Sequence, residues 1–247
     1  MHRLFVAPEQ LGKAQRVKLT SEQARYLGTV LRLKPGEEVE VFDGRGARFR
    51  AWLEDSPELD AAVLRLAEPL PEGPVRAVDV VLAQALAKGE KMDLVVQKAT
   101  ELGAARIVPF ASERTVVRLD AERGSGKAER WRRVAQEAAR QCGRADVPMI
   151  DEPAGWDRIL ALLRDEPGRR GLLLDPEESK LRLGAAARGA RKLLLAVGPE
   201  GGFSSEERER ARQGGLLPVG MGPLVLRTET AGLAALAVLL HVHGELG

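Results

Sequence analysis

The chain has 247 residues, of which 44% are hydrophobic and 30% charged, with 38 basic residues against 36 acidic ones. This composition is typical of a soluble globular protein. The single cysteine, Cys142, excludes an internal disulfide, and three histidines without a second cysteine leave no typical set of metal ligands. The longest apolar run, residues 231–240, is shorter than the roughly 18 residues that span a bilayer. We therefore expect a cytoplasmic protein with no metal and no membrane partner.

The first seventy residues favour short β-strands. Strand-like runs at 38–42 and 48–53 flank a turn signal at 43–46, and Thr20 offers a helix start ahead of them. This pattern predicts a small β-barrel domain over residues 1–70.

A proline-rich connector follows the β-rich region. Three prolines within residues 69–74 disfavour a helix interior or a central strand, so we place the domain boundary there. From residue 75 to 247 apolar strands alternate with amphipathic helices, which predicts an α/β domain with a parallel sheet. The predicted strands are 78–83, 107–110, 147–150, 171–175, 193–197 and 217–219, and the predicted helices include 92–102, 131–142, 156–163 and 205–213.

Basic residues cluster between Arg114 and Arg144. Seven basic and four acidic positions lie between these two residues, and several arginines fall opposite the apolar stripe of the predicted helix. Such a face can bind a polyanion. It can equally be a solvated helix face with ordinary ion pairs, and composition leaves both interpretations open.

The sharpest local motif is a glycine-rich loop, Gly198-Pro199-Glu200-Gly201-Gly202, directly after an apolar strand. Ser204 and Glu207 have the spacing of a capping box that starts the next helix. Glycines at a strand end let the backbone approach a ligand closely, although a plain strand-to-helix turn is the alternative. Neither the dinucleotide fingerprint nor the phosphate-loop pattern is present.

A second glycine-rich segment, residues 220–230, precedes an apolar helix. Arg227 and Glu229 lie at the start of that helix, where Thr228 or Thr230 can cap it. A buried ion pair plus a cap explains these residues as well as a functional role does. Because both glycine-rich segments follow strands of a parallel sheet, we expect them to meet at one edge of it.

Five blocks of the sequence, taken together, resemble the 16S rRNA uridine N3-methyltransferases (the ribosomal RNA small subunit methyltransferase E family) of the SPOUT superfamily. The resemblance covers nearly the whole chain, and the most distinctive block is Lys88 to Gly103. The blocks, in the family's order, are 88–103, 112–117, 137–144, 198–202 and 226–230. The chain departs from the family's usual pattern at Met221 and Leu224, where a leucine and a basic residue are common.

The resemblance implies a C-terminal α/β domain with a trefoil knot, an N-terminal PUA-like RNA-binding barrel, a homodimer and the cofactor S-adenosylmethionine (SAM). It implies that SAM is held chiefly by backbone groups. The cofactor-binding positions that it implies are Leu174, Gly198, Pro199, Glu200, Gly201, Gly202, Val219, Gly220, Met221, Leu226, Arg227 and Thr228.

The resemblance also implies methylation of a uridine N3 in the 16S rRNA of the small ribosomal subunit. Glu200 and Glu229 are the candidate acceptors of the N3 proton, and Arg227 could stabilise negative charge on the uracil oxygens. Structural roles in capping backbone N–H groups are open for both carboxylates. The predicted RNA contacts are Arg3, Arg114, Arg140 and Arg144, with Arg144 a candidate to reach the site of a partner subunit.

Two other functions compete with this prediction. A non-catalytic ribosome-assembly factor would bind RNA without binding SAM. A SPOUT enzyme acting on tRNA or on a ribose hydroxyl would bind SAM but methylate another acceptor. Blocks 88–103 and 112–117 disfavour the second alternative, and the intact 198–202 and 226–230 blocks disfavour the first.

Overall fold

The computed structural model describes residues 1–11, 15–54, 62–71, 73, 76–115 and 121–247, with only the backbone described at 121–123. The chain divides into two compact units, one of residues 1–74 with 136–147 and one of residues 75–135 with 148–247. The division falls at the proline-rich connector, but it assigns the segment 136–147 to the first unit. The predicted boundary places that segment in the second.

The first unit is built around a mixed five-stranded sheet in the order β1-β3-β4-β5-β2, in which only the β1–β3 pair is parallel. Its elements are β1 (His2–Phe5), α1 (Pro8–Leu11), β2 (Arg16–Lys18), α2 (Ser21–Arg25), β3 (Glu38–Phe42), β4 (Arg48–Leu53) and β5 (Val63–Pro69). The predicted strands 38–42 and 48–53 match β3 and β4. Thr20 caps α2 through a capping box with Gln23, and a π-turn over Tyr26–Val30 follows.

The second unit is an α/β fold whose six strands are all parallel, in the order β11-β9-β10-β6-β7-β8, as predicted. Its elements are β6 (Asp79–Ala85), α3 (Lys91–Leu102), β7 (Arg106–Phe110), α4 (Ala121–Cys142), β8 (Met149–Ile150), α5 (Trp156–Arg164), β9 (Arg170–Leu174), α6 (Leu183–Ala187), β10 (Lys192–Val197), α7 (Ser205–Gln213), β11 (Leu216–Val219) and α8 (Thr228–Val242).

Local sequence signals account for most of these boundaries. Gly103 ends α3 in the left-handed conformation at φ 109°, and Ser204 with Glu207 forms the predicted capping box of α7. The apolar stripe predicted for α4 holds at Trp131, but its last member, Cys142, is exposed. The prediction was wrong at Cys142 because this last residue of the helix lies beyond the buried part of the stripe, which ends at Ala139.

No helix among the described residues is both long and apolar enough to cross a membrane. In the same part of the chain, no three or more His, Cys, Asp or Glu side chains are grouped so that they could hold a metal ion.

A charge cluster holds the amino ends of three strands together. Arg169, 5% exposed, pairs with Asp79 at 3.1 Å and with Glu166, which also pairs with Lys192 at 2.6 Å. Hydrogen bonds from Lys192 and Arg169 lower the pKa of Glu166 from 4.5 to about 2. This cluster lies at the opposite ends of the strands from the glycine-rich loops.

The lowered pKa of Glu166 predicts a pH-dependent contribution to stability. The ionised carboxylate stabilises the fold above about pH 4.5, and this contribution is lost as the pH falls towards 2, because the folded protein binds the proton less readily than the unfolded chain. We expect Glu166→Gln to lower the free energy of unfolding at neutral pH, with a deficit that shrinks on acidification. Urea unfolding over that pH range measures the deficit. A deficit that stayed constant would contradict the assignment.

Candidate functional site

A cavity of about 240 Å³ lies at the carboxyl ends of β9, β10 and β11. The chain leaves β9 for β10 on one side and later places β11 on the other, so three successive strand ends meet there. The wall consists of residues 174–177, 197–203, 221–222, 224–226, Thr228 and Ala231, together with Arg114 and Arg208. The two glycine-rich segments therefore do meet at one edge of the sheet, as the sequence predicts.

The first glycine-rich loop is shaped by close contacts on both sides. A Cβ on Gly198 would lie 3.2–3.3 Å from the ring of Phe203, and Gly202 has a φ of 68°. The Gly202 N–H donates to the Pro199 carbonyl at 2.9 Å, and Arg114 donates to the Gly201 carbonyl, also at 2.9 Å. The loop is therefore a tight, fixed turn rather than an open one.

Gly220 lies where two backbone segments pass closest to each other. Its N–H donates to the Leu181 carbonyl at 2.9 Å and its own carbonyl accepts from the Leu183 N–H at 3.0 Å. A Cβ built on Gly220 would collide with the Glu178 carbonyl oxygen. Only glycine fits this crossing.

The segment that follows Gly220 offers unused backbone groups to the cavity. Within the described part of the chain, the N–H and C=O groups of residues 221–226 form no hydrogen bond, although five of these residues line the wall. Leu224 and Val225 are 78% and 82% exposed despite their apolar side chains. Because no other part of the described chain occupies these backbone groups, the segment is suited to hold a ligand.

The start of α8 is tied to the first loop. Thr228, buried, donates from Oγ1 to the Gly198 carbonyl at 2.6 Å and accepts from Gln84 Nε2 at 2.8 Å. The N-cap of α8 is Arg227, which makes no side-chain capping bond. The predicted capping by Thr228 or Thr230 is therefore wrong, because the Thr228 hydroxyl is directed at the loop instead.

Glu200 and Glu229 share one cation. Lys91, the first residue of α3, lies 2.8 Å from Glu200 Oε1 and 3.3 Å from Glu229 Oε2. The hydrogen bond from Lys91 lowers the pKa of Glu200, and the hydrogen bond to Glu200 raises the pKa of Lys91. Glu200 lies on the cavity wall with its side chain 42% exposed, whereas the Glu229 side chain is 13% exposed.

The alternative of an ion pair between Arg227 and Glu229 is not realised. Glu229 pairs with Lys91, while Arg227 is exposed and its side chain forms no hydrogen bond or ion pair within the described residues. Arg227 is not itself among the residues of the cavity wall, although its neighbours Leu226 and Thr228 are.

A buried carboxylate, that of Glu207, stiffens the region next to the cavity. Glu207, 6% exposed, accepts from Trp156 Nε1 at 2.7 Å and from the Ser112 hydroxyl and the Glu113 N–H at 3.0 and 2.9 Å. Burial opposes its ionisation, but hydrogen bonds from the Ser204 N–H and these donors outweigh it and lower the pKa of Glu207. Glu207 therefore anchors the 112–113 segment to α7.

Arg208 and Asp175 form the polar side of the wall. Arg208 lies 3.6 Å from Asp175 and also pairs with Glu177. Asp175 accepts from the Glu177 N–H at 3.0 Å, which fixes the turn after β9. Sequence reasoning missed these three residues, although their position directly after a strand or within a capped helix start was a usable signal.

Most of the predicted cofactor-binding residues lie on the cavity wall. They are Leu174, Gly198, Pro199, Glu200, Gly201, Gly202, Met221, Leu226 and Thr228. Val219 and Gly220 instead support the wall from behind: Val219 is fully buried and its carbonyl accepts from the Asp175 N–H at 3.0 Å.

Three of the four predicted RNA contacts are engaged within the first unit. Arg3 is 11% exposed, pairs with Glu40 at 3.0 Å and donates to the carbonyls of Ala139, Arg140 and Arg144. The Arg144 side chain is 8% exposed and pairs with Asp146 at 2.8 Å. These surroundings favour structural roles for Arg3 and Arg144 over the predicted phosphate contacts.

Arg140 and Arg114 differ from Arg3 and Arg144 in their surroundings. Arg140 is 20% exposed, lies 4.1 Å over the Tyr26 ring and pairs with Glu137. Burial lowers the pKa of Arg140, and burial with the neighbouring Glu22 raises the pKa of Glu137. Arg114 lies exposed on the cavity wall of the second unit, so it is the most accessible of the four. Val116 and Val117 of the 112–117 block fall outside the described residues.

Comparison with known proteins places the chain in a family. The family model described as RNA methyltransferase domain matches residues 74–240, and the one described as RNA methyltransferase PUA domain matches residues 19–66. The ribosomal RNA small subunit methyltransferase E of Bacillus subtilis is 31% identical, over 98% of this chain and 96% of that protein.

Two solved structures are similar along almost the entire chain. A methyltransferase from Legionella pneumophila in complex with SAM has a TM-score of 0.86 and 35% identity, covering 97% of this chain and 96% of that one. The ribosomal RNA small subunit methyltransferase E of Neisseria gonorrhoeae, bound to SAM, has a TM-score of 0.87 and 31% identity, covering 98% and 97%. The chain therefore belongs to the ribosomal RNA small subunit methyltransferase E family, which combines a PUA domain with an RNA methyltransferase domain.

Proposed function

We propose that the protein transfers a methyl group from SAM to N3 of a specific uridine in the 16S rRNA of the small ribosomal subunit. The observation that carries the proposal is the cavity at three strand ends, walled by the unpaired backbone of 221–226 and by the 198–202 loop, in a chain of this family. Relatives with the same fold were solved with SAM bound.

The wall residues fit SAM, which has an apolar ring face and several polar groups. Leu174, Val197 and Leu226 supply apolar surface, and the backbone of 221–226 supplies donors and acceptors that nothing in the described chain uses. When bound, SAM supplies an electrophilic methyl group on a positively charged sulfur. Asp175, Glu177 and Glu200 place three carboxylates on the wall, where they can interact with the positively charged groups of SAM.

The residues of the chain position the uridine and receive its proton. Glu200 is the proposed proton acceptor, since it lines the cavity and Lys91 keeps it ionised. Glu229 forms a second ion pair with Lys91. Arg227, exposed and unpaired at the start of α8, would stabilise negative charge on the uracil oxygens. Holding the acceptor nitrogen in line with the methyl group supplies most of the catalysis.

The Lys91–Glu200 pair predicts how activity depends on pH. Because the hydrogen bond from Lys91 lowers the pKa of Glu200, the acceptor stays ionised into mildly acidic solution. In Lys91→Met the pKa of Glu200 rises, so the acid limb of the kcat/KM profile should move to higher pH. Measuring kcat/KM for methyl transfer to small subunits as a function of pH locates the acid limb. A limb unmoved by the substitution would contradict Glu200 as the acceptor.

The chain topology supports a trefoil knot in the second unit. The end of β11 passes against the 175–183 segment, where Gly220 bonds to both Leu181 and Leu183 and the Asp175 N–H donates to the Val219 carbonyl. We infer that this crossing is the knot of the SPOUT fold. The domain limits proposed with it are residues 1–70 for a PUA-like barrel that binds RNA and 75–247 for the methyltransferase domain.

A homodimer is part of the proposal. Leu94 of α3 and Val238 of α8 are apolar yet 43% and 37% exposed, on two helices that pack together. A second copy covering these helices would bury them. Light scattering of the purified protein tests this, and a monomer at micromolar concentration would overturn it.

The experiment that tests the function is methyl transfer from labelled SAM to small ribosomal subunits that lack the modification. Nuclease digestion and identification of the labelled nucleoside follow. We expect 3-methyluridine. Another labelled nucleoside, or methylation of tRNA instead, would favour the other SPOUT activities, and absence of SAM binding would favour an RNA-binding assembly factor.

A further inference from the structure

Gln84 is a buried amide within the otherwise apolar strand β6. Its side chain is fully buried, and its register partner in the neighbouring strand is Val197, the last residue before the glycine-rich loop. The strand predicted from the sequence, 78–83, ends just before Gln84, and the sequence pattern indicates no role for Gln84. A buried polar group loses its hydration and so requires a compensating partner.

That partner is the hydroxyl of Thr228. Gln84 Nε2 donates to Thr228 Oγ1 at 2.8 Å, and Thr228 Oγ1 donates its only proton to the Gly198 carbonyl at 2.6 Å. The Gly198 carbonyl settles the direction of both bonds, because it can only accept: the single Thr228 hydroxyl proton is used there, so the hydroxyl must accept from the amide of Gln84. The chain of bonds links β6, the start of α8 and the first residue of the loop.

The remaining contacts of Gln84 argue that this link matters more than strand stability. Its Oε1 is buried without a hydrogen-bond partner among the described residues. Gly232 of α8 lies so close that a Cβ there would collide with this oxygen. An apolar side chain would remove that unsatisfied group, so Gln84 is poorly explained by packing alone.

We propose that Gln84 is a positioning residue for the cofactor site, acting through Thr228 to fix the Gly198 end of the 198–202 loop. The proposal rests on the proposed function, because it assigns Gln84 to the SAM site of that reaction. Gln84 itself is not among the residues that line the cavity. Its effect is to hold Thr228 and Gly198, both of which line the cavity, in one arrangement.

SAM affinity measured by calorimetry, alongside the melting temperature, tests the link in the full-length protein. Gln84→Met keeps the side-chain volume and removes the donor, and Thr228→Val removes the hydroxyl while Thr228→Ser keeps it. We expect SAM affinity to fall about tenfold in Gln84→Met and in Thr228→Val, and to fall less in Thr228→Ser than in Thr228→Val. The double variant should also lose about tenfold rather than a hundredfold, because both changes break one link.

A matched control is Thr100→Val. Thr100 is also fully buried and donates to a backbone carbonyl, that of Val96 at 2.7 Å, within α3. Removing this hydroxyl should change the melting temperature and leave SAM affinity unchanged. If Gln84→Met does not fold, Gln84→Leu takes its place, because it also removes the amide donor while keeping an apolar side chain of similar size, and it should weaken SAM binding likewise.

The outcomes separate this inference from the proposed function. Absence of SAM binding by the unsubstituted protein would overturn the proposed function and the inference together. Normal SAM affinity in the Gln84 variants, with only the melting temperature changed, would overturn the inference and leave the function standing. Additive losses in the double variant would also overturn it, because the two residues would then act separately.

Discussion

Replacing Gly220 with alanine is expected to destroy the cofactor site. The new Cβ collides with the Glu178 carbonyl oxygen, which is backbone and cannot turn aside as a side chain would. The two segments must separate, breaking the bonds of Gly220 to Leu181 and Leu183. Overpacking of this kind destabilises by about 1–3 kcal/mol. Since the unpaired 221–226 backbone follows directly, we expect methyl transfer to fall by about a hundredfold or more.

The matched control for this variant is Gly126→Ala. Gly126 lies in α4, without a positive φ, and a Cβ there meets no atom within 4 Å. Alanine at this position should raise stability by about 0.5–1 kcal/mol and leave SAM binding unchanged. Calorimetry with SAM and urea unfolding, applied to both variants, separate the site effect from a general effect of adding a methyl group. SAM affinity in Gly220→Ala equal to that of the unsubstituted protein would show that the crossing does not hold the site.

Elements marked by local signals could be predicted from the sequence. Capping boxes need only four consecutive residues, so Thr20 and Ser204 marked their helices correctly. The glycine-rich loop after an apolar strand, at 198–202, was recognised because strand ends of parallel sheets carry ligand loops. These signals depend only on residues that are close together in the sequence, so the sequence alone is enough to recognise them.

Partners from distant elements could not be predicted. One interpretation left open by the sequence paired Glu229 with Arg227, two residues away, whereas its partner Lys91 comes from α3. Gln84 and Thr228 are brought together only because the strand order places β6 beside β10. Nothing in either local sequence records that order, so periodicity alone cannot reveal the contact.

The role of Arg3 could not be predicted from the sequence either, here because a side chain expected at the surface is largely buried. Arg3 was assigned to RNA because arginine is usually exposed and binds phosphates. Burial opposes ionisation of Glu40, but hydrogen bonds from Arg48 and Arg3 keep the pKa of Glu40 low, so the pair remains charged inside the first unit. Three backbone carbonyls then use the other donors of Arg3. The residue type indicates how exposed a side chain usually is, whereas its actual exposure depends on the fold around it.

Glu200→Gln is expected to reduce kcat by roughly a hundredfold to ten-thousandfold, the range for loss of a general base. The amide is equal in shape and its oxygen can still accept from Lys91, so the loop should keep its position and SAM affinity should change little. Glu229→Gln should reduce kcat less, because Glu229 contacts Lys91 and does not lie on the cavity wall described here. Single-turnover methylation of small subunits measures both variants.

Glu101→Gln is the matched control for the Glu200 variant, because Glu101 also pairs with a lysine of α3, Lys98, at 2.8 Å. It removes a carboxylate from a surface lysine pair without altering the cavity, so kcat should be unchanged. If Glu200→Gln retained full kcat while Glu229→Gln lost it, the roles of the two carboxylates would be exchanged, and Lys91 would then position Glu229 instead. If neither variant lost activity, the N3 proton would leave to solvent, and catalysis would rest on Arg227 and on the alignment of the uridine alone.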